Sequence, residues 1–163
     1  MNRLMKVVVL GLLVCGVTTA VQAQDVNSFV ELLRKDIRAE KTAVLTATME
    51  FTDAESEMFW PIYREYEHEA AKLGDLRIEI IRDYANSYES MTDEIAMDLV
   101  ERSLKVREKG LALDKKYWKK LSKQLSPILA ARFFQVNGQI NDLIDLQIAS
   151  EMPLIEPTGS MKD

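Results

Sequence analysis

The strongest constraint on the fold is a pair of apolar heptad repeats. In each repeat a large apolar residue occurs at every seventh position, four times in succession. The first repeat consists of Phe59, Tyr66, Leu73 and Ile80, and the second of Leu104, Leu111, Trp118 and Leu125. Such a repeat is typical of a helix that packs along its length against another helix. Residues 86–93, which separate the repeats, hold several turn formers, so the sequence predicts an all-α fold built on a long helical hairpin.

The spacing of the two repeats also predicts how the hairpin is aligned. In antiparallel order, a single register pairs every member of the first repeat with a member of the second: Phe59 with Leu125, Tyr66 with Trp118, Leu73 with Leu111, and Ile80 with Leu104. We therefore predict that these residues form the seam between the two long helices. The same register brings Gly74 level with Gly110, where a neighbouring helix could approach closely.

The two arms of the hairpin carry opposite charge. Residues 53–101 contain fourteen acidic and four basic residues, a net charge of −10, whereas residues 102–132 contain ten basic and two acidic residues, a net charge of +8. The predicted register sets Glu65 near Lys119, Glu69 near Lys115, Asp75 near Lys109 and Glu79 near Lys105. Exposed ion pairs contribute about 0–1 kcal/mol each, whereas burial of a large apolar side chain contributes roughly 1.5–3 kcal/mol. The apolar seam is therefore expected to set the register.

The helix that carries the second repeat has a further apolar stripe, which contains Leu99, Val106, Leu113 and Tyr117. Positions 104 and 106 lie about 200° apart around a helix, so this stripe points away from the predicted seam. A helix that is apolar on two faces needs two partners. Helix one, helix four or a second subunit could cover the stripe, and we interpret it as a candidate partner-binding or dimer face.

Capping signals predict where the later helices begin. Thr52 and Glu55 have the spacing of a capping box at the start of helix two, and Thr92 is the predicted N-cap of helix three. Ser126, which a proline follows, is the predicted N-cap of helix four. The tail from Pro153 to the end of the chain is expected to lie outside this helix and to be mobile.

Helix one is predicted to begin at Asn27 or Ser28, either of which is a good N-cap, and to end near Glu50. Its middle is mostly charged, so we expect that part to be exposed or to lie on a polar partner. Its apolar stripe is loose and consists of Phe29, Leu33, Ile37, Val44 and Ala47.

The first 23 residues are predicted to be a signal peptide. Arg3 and Lys6 supply a positive region, residues 7–17 an apolar region, and residues 21–23 a small-residue cleavage site. Cleavage after residue 23 would give an exported protein. An uncleaved N-terminal anchor is the alternative interpretation.

Cleavage would leave a chain with a restricted chemistry. It would remove Cys15, the only cysteine, and with it any disulfide or thiol nucleophile. It would also lower the formal net charge from −5 to −7, because two basic residues are lost. An acidic chain is not expected to bind nucleic acid. Residues 24–152 are predicted to form a single helical domain, and no second stretch there is apolar enough to span a membrane.

Few residues suggest catalysis or metal binding. His68 is the only histidine, and no nucleophile elbow or phosphate-binding glycine loop occurs. Glu65 and His68 have the Glu-x-x-His spacing of di-iron bundles, but those bundles use the motif twice. A solvated His68 is the simpler interpretation, and a weak metal site shared across a dimer is the alternative. We predict no catalytic residues, no metal site and no cofactor.

Two short motifs resemble those of a known family. Phe51-Thr52-x-x-Glu55 and Leu125-Ser126-x-x-Leu129 open two of the helices, and this pattern resembles the Spy/CpxP-like (LTxxQ) family of periplasmic proteins over roughly residues 25–153. The resemblance implies four helices per subunit and a thin, curved, antiparallel dimer. Members of the family include an ATP-independent chaperone, an accessory inhibitor of an envelope-stress sensor kinase, and metal-responsive sensors.

The sequence and this resemblance lead to two functional hypotheses. The first is a non-enzymatic exported envelope-stress protein that forms a homodimer and binds unfolded clients or partner proteins through a helical surface. The second is a signalling accessory that restrains a membrane sensor kinase or an anti-sigma system. Suppression of aggregation of unrelated unfolded proteins would favour the first hypothesis.

Overall fold

The computed structural model describes residues 39–155. Helices make up 91% of that range, and no strand occurs within it, which confirms the predicted all-α class. The chain divides between Glu40 and Lys41 into two units, and the description below concerns the second. The predicted signal peptide, the predicted start of helix one and the tail beyond residue 155 lie outside the described residues.

Four helices and one 3-10 turn account for the described chain. The helix α1 is described from residue 39 to residue 49. It is followed by α2 (Asp53–Ser87), the 3-10 turn (Tyr88–Ser90), α3 (Asp93–Gln124) and α4 (Pro127–Glu151). The predicted reversal of the chain at residues 86–93 is therefore confirmed, and so is the end of helix one near Glu50.

The predicted caps of helices two, three and four are present. At the start of α2, the hydroxyl of Thr52 accepts a hydrogen bond from the backbone N–H of Glu55 at 3.3 Å, and the Glu55 carboxylate accepts one from the backbone N–H of Thr52 at 2.9 Å. The hydroxyls of Thr92 and Ser126 likewise accept from the backbone N–H groups three residues on, at 3.3 and 3.2 Å. Each cap satisfies a backbone donor that the helix itself leaves without a partner.

Pairs of distant residues define the directions of the helices. Glu69 near the middle of α2 contacts Lys116 of α3, and Asp83 near the end of α2 contacts Arg102, so α2 and α3 run antiparallel. The next helix returns in the direction of α2, because Arg77 pairs with Asp145 of α4. The three long helices therefore lie side by side.

The apolar core lies where the start of α2, the end of α3, the start of α4 and the end of α1 meet. Its centre is an aromatic cluster that consists of Phe59, Tyr63, Tyr66, Tyr117 and Phe133, all of them buried. Neighbouring rings lie with centroids 5.2 to 6.0 Å apart, several of them edge to face. Such aromatic pairs contribute about 0.5–1.5 kcal/mol beyond the area that they bury.

The predicted stripe of helix one is wrong where the structure describes it. Val44 and Ala47 are exposed, and the buried residues are Lys41, Leu45 and Met49. These three follow each other at four-residue spacing and so share one face. Leucine and methionine reach further into the core than valine or alanine, and the Lys41 ammonium lies 2.8 Å from a carboxylate oxygen of Glu67 on α2. The remaining predicted members, Phe29, Leu33 and Ile37, lie outside the described residues.

The first residues of the predicted tail are held by α2 and the 3-10 turn. Tyr84 donates its hydroxyl hydrogen to the carbonyl oxygen of Pro153, and Tyr88 donates to that of Leu154. The rings of the two tyrosines lie 5.8 Å apart. The prediction that the tail leaves the helix near Pro153 is confirmed, since α4 ends at Glu151.

The long helices also bear on the question of membrane insertion. Within residues 39–155, no helix is both long enough and apolar enough to cross a membrane.

Candidate protein-binding surface

The first heptad repeat occupies the position that the sequence predicts. Phe59, Tyr66 and Ile80 are buried, and Leu73 is half-buried against the core cluster. Leu125, the last member of the second repeat, is also buried. The seam residues of α2 are therefore assigned correctly.

The rest of the second repeat is not part of the seam, and this prediction is wrong. Leu104 is 57% exposed, Leu111 56% and Trp118 39%. These residues project away from α2. The Trp118 ring lies beside the Phe134 ring of α4, with centroids 6.1 Å apart.

The other apolar stripe of α3 makes the contacts with α2 and the core. We call Leu99, Val106, Leu113, Tyr117 and Leu121 the inner stripe; all are buried except Val106, which is half-buried. The prediction that Leu99, Val106, Leu113 and Tyr117 form a partner-binding or dimer face is therefore also wrong. The two stripes have exchanged roles because Leu113, Tyr117 and Leu121 of the inner stripe pack into the core cluster.

The ion pairs between α2 and α3 also show that α3 is rotated about its own axis relative to the predicted arrangement. Glu65 pairs with Lys120, not with Lys119, and Glu69 pairs with Lys116 at 2.6 Å, not with Lys115. Each lysine lies one residue beyond the predicted one. The axial alignment itself is confirmed, since the ring of Tyr66 lies 5.4 Å from that of Tyr117, next to the predicted level.

Among the groups that form these ion pairs, the Glu69 carboxylate accepts the most hydrogen bonds. It accepts hydrogen bonds from the Lys116 ammonium at 2.6 and 2.8 Å and from the Tyr117 hydroxyl at 2.9 Å, and these contacts lower the pKa of Glu69. Burial, together with the bond to Glu69, raises the pKa of Tyr117 to about 12. Both shifts favour the hydrogen-bonded pair at neutral pH, with Glu69 ionised and Tyr117 neutral.

A polar chain of hydrogen-bonded side chains, which no sequence pattern indicated, joins three helices. Tyr66 of α2 donates its hydroxyl hydrogen to a carboxylate oxygen of Asp114 on α3 at 3.0 Å, and it accepts a hydrogen bond from the amide of Asn137 on α4 at 3.0 Å. Burial and the neighbouring Asp114 charge raise the pKa of Tyr66, which stays neutral. The polar chain holds α2, α3 and α4 in one alignment, because a shift of one helix along another would leave buried polar groups without partners.

The predicted close approach at the two glycines does not occur within the described chain. A Cβ atom added at Gly74 or Gly110 would meet no atom within 4 Å. Both positions are therefore open, and no described helix uses them for close contact.

The exposed apolar residues of α3 lie along one side of the helix. We call Met97, Val100, Leu104, Leu111 and Trp118 the outer stripe; their exposed fractions range from 39 to 62%. At 100° per residue they fall within an arc of about 60°, and residues 97–118 span about 32 Å. An exposed apolar stripe on a helix is the kind of surface that another protein covers.

His68 is the residue that the sequence suggests as a possible metal ligand. His68 is exposed. Among residues 39–155, no three histidine, cysteine, aspartate or glutamate side chains are grouped so as to hold a metal ion.

Comparisons with other proteins add no further constraint. No protein-family model, no curated protein sequence and no solved structure matches this chain.

Proposed function

We propose that this chain is a non-enzymatic, exported envelope-stress protein that binds unfolded clients or partner proteins through the outer stripe of α3. The observation that carries the proposal is the exposure of five large apolar side chains along one side of a single helix. Leaving such a stripe in water is unfavourable, by about 25 cal/mol for each Å² of apolar surface. A partner that covers the stripe recovers this free energy.

The composition of the outer stripe suits binding to proteins. Trp118 supplies a large, rigid contact surface, and tryptophan is enriched among the residues that dominate binding energies at interfaces. Met97 adds a flexible side chain that adapts to differently shaped partners. The stripe also lies on a helix whose opposite side is fixed to the core, so it is presented without a rearrangement of the fold.

The width of the outer stripe supports the alternative, a signalling accessory that restrains a membrane sensor kinase or an anti-sigma system. Its side chains follow each other along a narrow line from Met97 to Trp118. A narrow straight stripe fits one amphipathic helix of a dedicated partner. Unfolded clients, by contrast, vary in shape and are bound best by broad surfaces.

An aggregation assay with matched variants tests the proposal. We expect the purified protein to suppress aggregation of several unrelated unfolded proteins, and the double change of Leu104→Ser with Leu111→Ser to remove most of that activity. The matched control is Leu143→Ser with Leu146→Ser, two leucines of similar exposure on α4, which should leave the activity unchanged. Equal activity in both double variants would overturn the role of the outer stripe.

The same variants separate the two functional classes. If the unchanged protein protects no unrelated client, the chaperone hypothesis fails. Capture of one membrane sensor from envelope extracts, lost in the Leu104 and Leu111 variant and kept in the Leu143 and Leu146 variant, would then support the accessory hypothesis. Capture kept in both variants would contradict a role of the outer stripe, and no capture by the unchanged protein would contradict the accessory hypothesis.

Export is proposed separately, on the leader-like sequence of residues 1–23. N-terminal sequencing of protein from the periplasmic fraction is expected to begin at Gln24. Protein that keeps Met1 and sediments with membranes would support the uncleaved anchor.

A further inference from the structure

Charges of opposite sign flank the two ends of the outer stripe. Residues 93–101 contain four acidic residues and no basic residue, whereas residues 115–123 contain five lysines and no acidic residue. The fold neutralises part of this charge, because Lys116 and Lys120 pair with glutamates of α2 and Asp98 pairs with an arginine of α3. The charge that remains is what a partner on the outer stripe would meet.

At the two ends of the stripe, six charged side chains form no ion pair within residues 39–155. All six are exposed, and they form a group of three carboxylates and a group of three lysines: Asp93, Glu94 and Glu101, and Lys115, Lys119 and Lys123. At 100° per residue, Asp93 and Lys115 fall in line with the outer stripe, and the other four lie on one side of it. The stripe therefore carries unpaired negative charge at one end and unpaired positive charge at the other.

We propose that the outer stripe binds one amphipathic helix of a partner protein, acidic in its first half and basic in its second half, which lies antiparallel to α3. The acidic half lies beside the three lysines near Trp118, and the basic half lies beside the three carboxylates near Met97. The outer stripe spans about 32 Å, which a helix of about 22 residues covers. The inference rests on the proposed function, because it names the chemical class of the partner at the same site.

The direction of the partner follows from the dipole of its own helix. Acidic residues stabilise the N-terminal turn of a helix, and basic residues stabilise the C-terminal turn. In the antiparallel direction, the charge order that stabilises the partner helix by itself is also the order that complements the outer stripe. In the parallel direction, the partner would need basic residues at its own N terminus, which destabilise it.

Trp118 supplies an anchor at the lysine end of the stripe. Its side chain is 39% exposed, and its ring lies beside the Phe134 ring of α4. An apolar side chain in the acidic half of the partner therefore meets a ring that a second helix supports, which is the kind of contact that dominates binding energies at interfaces. The apolar contacts supply the affinity, and the charges select the direction and the partner.

A second copy of this chain complements the stripe less well than a partner with another sequence. The antiparallel register that sets Leu104 beside Leu111 of the second copy also brings Glu101 level with Asp114 of the second copy. It sets Glu108 next to its own equivalent as well. Like charges therefore meet in such a pair, whereas a different chain is free of this constraint.

Synthetic peptides test the charge order. The first peptide has 22 residues, leucines at heptad spacing, glutamates beside them in its first half and lysines in its second half. The second has the same composition with glutamates and lysines interleaved, and one hydrocarbon staple keeps both helical. Titration of the purified full chain should give a Kd about 3- to 30-fold lower for the first peptide. Equal Kd values would overturn the proposal.

Charge reversal in the protein tests the lysine end of the stripe. Lys115→Glu with Lys119→Glu should raise the Kd of the first peptide about 3- to 30-fold, and should make a third peptide, in which lysine replaces every glutamate, the tighter ligand. The control is Arg64→Glu with Lys72→Glu, which changes the net charge equally at two exposed positions of α2 and should leave the order of the peptides unchanged. The same reversal in the control would show that net charge alone decides binding and would overturn the proposal.

Disulfide trapping tests the direction. Ser122 lies in line with the outer stripe, one turn beyond Trp118. In a Cys15→Ser background, Ser122→Cys should cross-link to a first peptide that carries a cysteine one turn before its first leucine, because a disulfide joins Cα atoms within about 7 Å. A cysteine one turn after its last leucine should not react. Cross-linking of the second peptide form and not of the first would overturn the antiparallel direction.

Two further results separate this inference from the proposed function. Sedimentation that shows a dimer, which the first peptide dissociates, would make a second copy the occupant and overturn the inference. The peptide titrations contain no unfolded client, so they can fail while the aggregation assay succeeds. Protection that depends on Leu104 and Leu111, together with no dependence on charge order, would overturn this inference alone. Failure of both assays would overturn the proposed function as well.

Discussion

The two faces of α3 carry the same kinds of side chain and have opposite environments. Leu113 on the inner stripe is 8% exposed, whereas Leu111 on the outer stripe, two residues earlier, is 56% exposed. The helix backbone and the residue type are the same at both positions, so the difference comes from the neighbours. The inner stripe meets a cluster of aromatic rings, and the outer stripe meets no described helix over most of its length. Burial on this helix is therefore decided by what α2 and α4 present to it.

Paired leucine substitutions should give the largest difference between the faces. Leu113→Ala is expected to lower the free energy of unfolding by about 2–5 kcal/mol, because it removes buried methyl groups and leaves a cavity. Leu111→Ala should change it by no more than about 0.5 kcal/mol in the monomer. Urea unfolding at low protein concentration measures both. Equal losses would mean that the outer stripe is covered in the folded monomer.

A smaller effect is expected from the polar chain that joins the inner face of α3 to its neighbours. Tyr66→Phe keeps the ring in the aromatic cluster but removes the hydroxyl that Asp114 and Asn137 contact. We expect a loss of about 1–3 kcal/mol, since buried polar groups lose a partner. Tyr84→Phe, at the turn end, is the comparison and should cost less because its partner carbonyl is exposed. A larger loss of stability at Tyr84 than at Tyr66 would contradict the placement of the tightly packed core at the start of α2 and not at the hairpin turn.

The smallest effect concerns two neighbouring lysines. Lys116→Met should lower stability slightly, because Lys116 pairs with Glu69, whereas Lys115→Met should leave it unchanged. The contact with Lys116 lowers the pKa of Glu69 in the folded state. The ion pair therefore stabilises the fold above the unfolded pKa of about 4.3, and this stabilisation is lost as the pH falls through the lower folded pKa. The difference between the variants should therefore be seen at pH 7 and be absent well below pH 4. A difference that persists in acid would point to packing of the lysine stem.

The sequence predicted the boundaries of the hairpin because local chemistry determines them. Thr52 and Glu55 form their capping box from neighbouring residues alone, and Ser126 with Pro127 starts α4 in the same way. The heptad repeat of α2 was assigned to the correct face because α2 has one dominant stripe of aromatic and aliphatic residues. Signals that act within one or two turns were therefore reliable guides to this structure.

The choice between the faces of α3 could not be made from spacing. Two apolar stripes fit the helical period equally well, and lysines at four-residue spacing, such as Lys115 with Lys119 or Lys116 with Lys120, offer the same charge to α2. The choice depended on contacts across helices.

The tyrosines at the turn end have a practical consequence. Tyr84 and Tyr88 donate to main-chain carbonyl oxygens, which every residue possesses, so their hold on residues 153 and 154 does not require particular side chains there. Sequence changes at Leu154 should be tolerated. A fluorophore or affinity handle joined after residue 155 would be attached near the hairpin turn. That attachment point lies about 30 Å along α2 from Tyr63, so a bulky label would be carried at the opposite end from the aromatic cluster.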